Sequence, residues 1–275
     1  MRSVLRFEAI ERALLVLCLC LALGLTLIVA RKSDLGALNQ QLANDIVKAN
    51  LRSVIVVDFQ DSLGKPSTLG WYLAEDLSES WLSKKQKFRV LDRSELNDTR
   101  VEPEDLTSEM VKRLGSVWGV DAIITGAVET SPEHYVLSAT VRRVADNTTI
   151  AIESLSVPHS RVLDVLKPLP KFNSGIFRIS HAGTNGIDAP RCIACPIPAY
   201  SDRARAAKIQ GTIVLSVLVS ENGRADTIAI VKGLGFGLTQ KAIETVSEWR
   251  FKPATSKEGE PVPVIAPIEV TFRLN

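Results

Sequence analysis

Cys192-Ile-Ala-Cys195 is the constellation in this 275-residue chain whose residue types and spacing could carry a reaction. A redox pair at this spacing works from a helix N-terminus, where the dipole lowers the thiol pKa. Here Pro190, Pro196 and Pro198 surround it, which disfavours a helix start. A zinc ribbon needs a second pair of ligands, and the remaining cysteines, Cys18 and Cys20, lie inside an apolar run. In an exported domain a disulfide between Cys192 and Cys195 is favoured over free thiols and over redox or metal chemistry. His134, His159 and His181 have no metal-ligand spacing and read as solvated loop or strand-end residues. Asp58 and Asp61 follow an apolar run without an accompanying nucleophile and base, so turn chemistry is the simpler reading. Gly233, Gly235 and Gly237 form a GxGxG run without a glycine at the third position of the GxGxxG dinucleotide fingerprint, and read as a bend between strand and helix. The expectation is of a non-enzyme with no cofactor and no metal.

The elements that position these residues begin with Ala13 to Ala30, eighteen residues without a charge. That length is at the short end for a transmembrane helix and exceeds a usual signal-peptide core. Ile28-Val29-Ala30 is a poor cleavage site, which favours an uncleaved anchor over a signal peptide; both stay open. Arg2, Arg6 and Arg12 on one side against Arg31 and Lys32 on the other lean toward a cytoplasmic N-terminus. Either outcome exports everything after Ala30. The expected location is the inner membrane, with residues 1–12 cytoplasmic and the bulk of the chain periplasmic. A net charge of +2 with dispersed basic residues excludes a nucleic-acid footprint.

Residues 31–51 read as a helical stalk continuing out of the membrane or as a plain spacer, and both stay open. Residues 52–158 carry a mixed α/β pattern. Val54 to Phe59 is a continuous apolar run, as in a buried strand. Leu69, Leu73, Leu77 and Trp81 step at helical spacing, and Phe88 to Asp92 is a second strand candidate. Pro103 to Leu114 reads as a helix closed by Gly115, and three strands follow in 121–157. Residues 159–189 hold Pro168, Pro170 and three glycines and read as a linker, with a strand candidate at 175–179.

In residues 190–275, Ser201 to Gln210 favours helix and Gly211 offers its stop. Thr212 to Ser220 alternates, Asn222-Gly223 signals a type I′ hairpin, and Ala225 to Val231 returns. Leu238 to Arg250 reads as a helix ended by Pro253. A last strand runs from Ile265 to Leu274, with Ile268, Val270, Phe272 and Leu274 on one face. Strands and helices in this order predict an α+β fold, an antiparallel sheet with two helices on one face. Pro263 and Pro267 fit an edge strand better than a central one.

The Tyr200-x-x-Arg203-Ala opening, Ile209-Gln-Gly, Asn222-Gly-Arg, Trp249-Arg-Phe-x-Pro and Phe272-Arg-Leu together resemble the C-terminal domain of the TonB energy-transducer family. Residues 52–158 are similar to the FlgO, CsgG and TolB N-terminal group of envelope domains. The carrying stretches are Ala74-Glu-Asp-Leu-Ser-Glu-Ser, Phe88 to Leu96, and Trp118 to Gly126. The first resemblance implies an energy transducer whose partners are ExbB- and ExbD-like proton-channel subunits and TonB-dependent outer-membrane receptors, and it leaves room for a homodimer. By motif match, Tyr200 and Arg203 would meet the receptor plug. Glu269, Val270, Thr271 and Arg273 would lie on the strand that takes a receptor segment by β-augmentation. TonB anchors carry a His and a Ser on the face that meets the channel, and residues 13–30 contain neither. A docking or scaffold protein without energy coupling is the alternative reading.

Overall fold

The computed structural model describes residues 35–96, 108–168, 180–183 and 187–274. The expected membrane anchor at 13–30 and the strand candidate at 175–179 lie outside the described residues. Among the described residues no helix is long and apolar enough to cross a membrane. The chain divides into Met1–Lys32 and a compact unit, Ser33–Asn275.

That unit opens with a helix, α1 (Leu35–Lys48), which packs into the core rather than standing as a stalk. Leu38, Leu42 and Ile46, one helical face apart by four residues each, are buried. Asn39 ties the helix inward: its amide donates to Ser80 Oγ at 2.7 Å, and Trp81 Nε1 donates to its carbonyl at 3.1 Å. Gln40, Gln41 and Asn44 face outward, which is why the segment reads as a spacer.

The N-terminal sheet follows the order β3-β1-β4-β5-β6, with β1 (Ser53–Val56), β3 (Arg89–Val90), β4 (Ala122–Thr130), β5 (His134–Arg143) and β6 (Thr149–Pro158). β1 is parallel to β3 and β4, and the remaining pairs are antiparallel. A short β2 (Gln60–Asp61) resumes pairing beside β4. β1 is buried throughout, as expected of a parallel strand covered on both faces. Val54 and Val56 pack with α1 and with α2 (Thr68–Leu82). Ile55 and Ile123 pack on the other face against Val111 and Leu114 of α3 (Ser108–Trp118). α3 does not end at Gly115. A Cβ there would lie 2.3 Å from Val144 Cγ1, so the glycine gives close approach, and the stop is Gly119 at φ 60°.

In the C-terminal half the sheet order is β10-β9-β14-β7, with β7 (Ser180–His181), β9 (Gly211–Val219), β10 (Ala225–Lys232) and β14 (Val264–Phe272). β9, β10 and β14 are antiparallel, and β7 adds a two-residue parallel pairing. The helices are α5 (Asp202–Ala206), capped by Ser201, and α6 (Leu238–Ser247). The hairpin is not type I′. Among its loop residues only Gly223 has positive φ, and Ser220 N donates to Arg224 O at 2.9 Å, closing a three-residue loop. α6 also stops short of the expected Arg250. Arg250–Lys252 forms β11, which pairs with β8 (Arg191–Ala194). Phe251 is buried there, and its N–H donates to Gly223 O at 2.9 Å. Ala254–Thr255 and Pro261–Val262 make a short ribbon, β12 and β13.

One hydrophobic cluster runs from Leu42, Leu73 and Leu137 in the first half to Ile213, Val217 and Val246 in the second. Part of the segment expected as a linker forms the seam. α4 (Arg161–Asp164) leads into buried Val165 and Leu166, and Val165 O accepts from Ile228 N at 2.6 Å. Arg161 donates to Ser247 O at 3.0 Å and to Ala225 O at 2.7 Å. The apolar spacing of Val162, Leu163, Val165 and Leu166 accounts for this: those side chains need a core, and a free tether would leave them in water.

Candidate functional site

β14 is paired along its whole length with β9 on one side, and only Val264 and Ile265 are paired on the other. Ala182 N donates to Ile265 O at 3.0 Å, so the backbone groups of Ile265 face the β7 side. Alternation then turns the backbone groups of Pro267, Glu269 and Thr271 the same way, and among the described residues no strand pairs with them. Pro267 thus occupies a position where its missing N–H costs the ladder nothing. Glu269, Thr271 and Arg273 have exposed side chains, whereas Val270 is buried on the core face and is registered with Ile213. Thr271 Oγ1 lies 3.0 Å from Thr212 Oγ1. An exposed ladder of this kind has the geometry of a template for an extended segment.

Tyr200 braces the end of this strand. Its hydroxyl donates to Ile209 O at 2.9 Å and its ring meets Phe272 edge-on at 5.3 Å. Arg205 lies over the ring at 5.5 Å. Cys192 and Cys195 are disulfide-bonded at the exposed strand β8, just ahead of Tyr200.

Arg203 departs from the expectation. Rather than facing a receptor it donates to Glu79 on α2 and to Asp92 after β3, and its guanidinium lies 5.0 Å from the Phe236 ring centroid. Its side chain is 20% exposed. Burial alone would lower the Arg203 pKa, but the two carboxylates more than offset this and hold it above its ordinary value. Burial raises Asp92, and hydrogen bonds from Ser94 and Arg203 outweigh that, so its carboxyl sits below the usual range. The arginine protrudes from α5 toward a carboxylate pair in the other half of the chain, which a motif match cannot see.

A second charged group lies behind the first and was missed at sequence level. Arg93 is 5% exposed; it donates from Nε to Glu75 at 2.8 Å, from Nη1 to Val56 O at 2.6 Å, and from Nη2 to Asp58 at 2.5 Å. Asp58 is therefore an ion-pair partner, while Asp61 does cap a turn by accepting from Leu63 and Lys65. Burial pushes Glu75 up to about 7; Arg93 pulls it down, and the neighbouring Glu79 and Asp92 charges push it further up. The available signal was Glu75 and Glu79, four apart in an otherwise apolar-stepped helix.

His159 also departs from the solvated reading. Its Nδ1 lies 2.6 Å from Asp164 Oδ1, its Nε2 3.0 Å from Ser131 O, and its ring 4.6 Å from that of Tyr135. The Asp164 hydrogen bond raises the imidazole pKa. Among the described residues no group of His, Cys, Asp and Glu could hold a metal ion. The glycine bend presses on the first half: a Cβ at Gly235 would lie 3.1 Å from Ser94 Cβ.

The arrangement offers docking geometry along β14 and an ionic clamp between the two halves. Residues 196–274 match the family described as the Gram-negative bacterial TonB protein C-terminal, and residues 36–162 match FlgO protein. No curated protein matches the chain. Among solved structures, the chain is similar to the LpoB C-terminal domain from Escherichia coli at 12% identity, covering 46% of this chain and all of that one, TM-score 0.36. Lipoprotein GNA1162 from Neisseria meningitidis is 13% identical, covering 39% of this chain and 81% of that one, TM-score 0.33. The TonB C-terminal domain of Pseudomonas aeruginosa is 21% identical, covering 36% of this chain and 96% of that one, TM-score 0.28.

Proposed function

We propose that this chain, which joins a FlgO-type domain to a TonB C-terminal-type domain, is a non-enzymatic docking scaffold of the Gram-negative cell envelope. Ala13–Ala30 would hold it to the inner membrane, and the open edge of β14 would take an extended segment of a partner by β-augmentation. The observation that carries this reading is the Arg203 clamp onto Glu79 and Asp92. A transducer that reaches across the periplasm needs a mobile tether ahead of its docking module. Here the module shares a core with the domain before it.

The second reading is energy transduction through ExbB/ExbD-like subunits to TonB-dependent outer-membrane receptors. The match of residues 196–274 to the TonB C-terminal family favours it. Photo-crosslinkers placed at Glu269 and Thr271 of the full-length protein in intact cells separate the two. The scaffold reading expects partner crosslinks that persist when a protonophore collapses the proton gradient. Crosslinks to outer-membrane receptors that disappear with the gradient would replace it with the transducer, and an absence of partner crosslinks at both positions would remove docking altogether.

A further inference from the structure

On the face of the N-terminal sheet where α3 packs, β4 and β5 extend past the helix and leave a groove of about 260 Å³. Asp58 and Gln60 form one wall, Thr125, Ser138 and Thr140 supply hydroxyls, and Arg142 closes the other side. The register explains the convergence. Thr140 stands opposite Thr125, and Ser138, Thr140 and Arg142 alternate onto the same face of β5. The strand order also reverses here. From β1 the chain crosses through α2 to β3 on one side, then through α3 to β4 on the other, with the two helices on opposite faces. In open sheets of this kind ligands bind outside the carboxyl ends of the strands at the reversal. The groove lies beyond the end of β1, where pairing breaks before resuming at Gln60.

The charges in the groove are separated and incompletely used. The Arg142 side chain makes no hydrogen bond or ion pair among the described residues, and its Nε is buried without an acceptor. A guanidinium is a planar donor suited to a carboxylate, and none of the described residues pairs one with Arg142. Asp58 gives one oxygen to Arg93 and its side chain remains 44% exposed. A cation on one wall and an anion on the other, with hydroxyls between, match a ligand that carries both charges better than one that carries a single sign. We propose that this groove binds a small zwitterion of the α-amino acid class, its carboxylate toward Arg142 and its ammonium toward Asp58.

Isothermal titration of the full-length protein tests this with free amino acids taken one at a time, alongside acetate, methylammonium and inorganic phosphate. At least one amino acid should bind saturably, with acetate, methylammonium and phosphate each weaker by about tenfold or more. Arg142→Gln should weaken that amino acid by about tenfold or more. If Arg142→Gln fails to fold, Arg142→Lys serves instead, since it keeps the charge but loses the planar fork. Saturable binding that the folded variant weakens supports the site. No binding by any amino acid, equal binding of acetate or phosphate, or indifference to the substitution would each overturn it.

Discussion

Arg203 on α5 donates to the carboxylate of Glu79 on α2, so the motif arginine of the C-terminal domain closes onto the N-terminal domain. With Asp92 as its second acceptor and the Phe236 ring beside it, the guanidinium is satisfied from within the chain. Two domain types that could stand apart are thereby fixed to each other, and the shared core makes the clamp a seam rather than a surface contact.

Removing the clamp should therefore cost the whole unit. Arg203→Ala leaves Glu79 and Asp92 partly buried without their cation, and a loss of about 2–4 kcal/mol is expected in urea denaturation. The Arg203→Ala, Glu79→Gln double variant should lose less than the sum of the singles, with a coupling of about 1 kcal/mol or more. Additive losses would mean the two side chains do not act on each other.

Glu75 makes the seam sensitive to pH. Its folded pKa is about 7, above that of an unfolded glutamate. The folded state therefore keeps a proton that the unfolded state releases. The associated stability is complete below the unfolded value and is lost as pH rises through about 7, on the order of 3 kcal/mol. His159 acts in the same direction, since its raised pKa favours the fold below its unfolded value and fades at higher pH. Melting temperature should fall between about pH 5 and about pH 8 in the parent, and fall less in Glu75→Gln. Parallel curves for the two proteins would show that Glu75 holds no such proton.

Local patterns were legible in the sequence wherever the reason for them is local. The alternation of Ile213, Leu215, Val217 and Val219, the run Val54 to Val57, and the cysteine pair at a spacing of three all depend on near neighbours. What failed depends on distant ones. Glu79 and Asp92 lie 124 and 111 residues from Arg203, so no motif could show the arginine turned inward. Gly115 reads as a stop because the Val144 side chain it makes room for is invisible in the helix itself. Trp249 to Lys252 reads as the tail of a helix because its partner, β8, lies more than fifty residues earlier. In the candidate site, the edge character of β14 could be anticipated from Pro267. The parity of its backbone groups could not, because it depends on β7.

The Cys192–Cys195 bond closes a very short loop on an exposed strand. Short loops remove little unfolded-state entropy, so reduction should lower stability by less than about 2 kcal/mol. Chemical denaturation with and without a thiol reductant measures this. A larger loss would mean that the bond holds the β8–β11 ribbon in place.

The edge of β14 gives the sharpest test of docking because its two sets of residues behave differently. Val270 belongs to the inward set: it is buried, and its backbone faces β9 opposite Ile213. Val270→Pro would break the internal ladder and the core together, so a loss of binding in that variant would say nothing about the edge. Thr271 belongs to the outward set, with an exposed side chain and backbone groups turned to the open side. Thr271→Pro removes one outward N–H while leaving the β9 ladder its donors, as Pro267 already does two positions after Ile265. The variant should melt within about 5 °C of the parent, the shift that roughly 1 kcal/mol gives in a domain of moderate size. Its affinity for an added strand should fall by about fivefold or more, the worth of one backbone hydrogen bond. Glu269→Pro should do the same one residue pair earlier on the same edge, and Glu269→Ala, which keeps the N–H, should not. The readout is fluorescence anisotropy of the peptide segment recovered from crosslinks at Thr271. Equal affinity in parent, Thr271→Pro and Glu269→Pro would place the partner somewhere other than this edge.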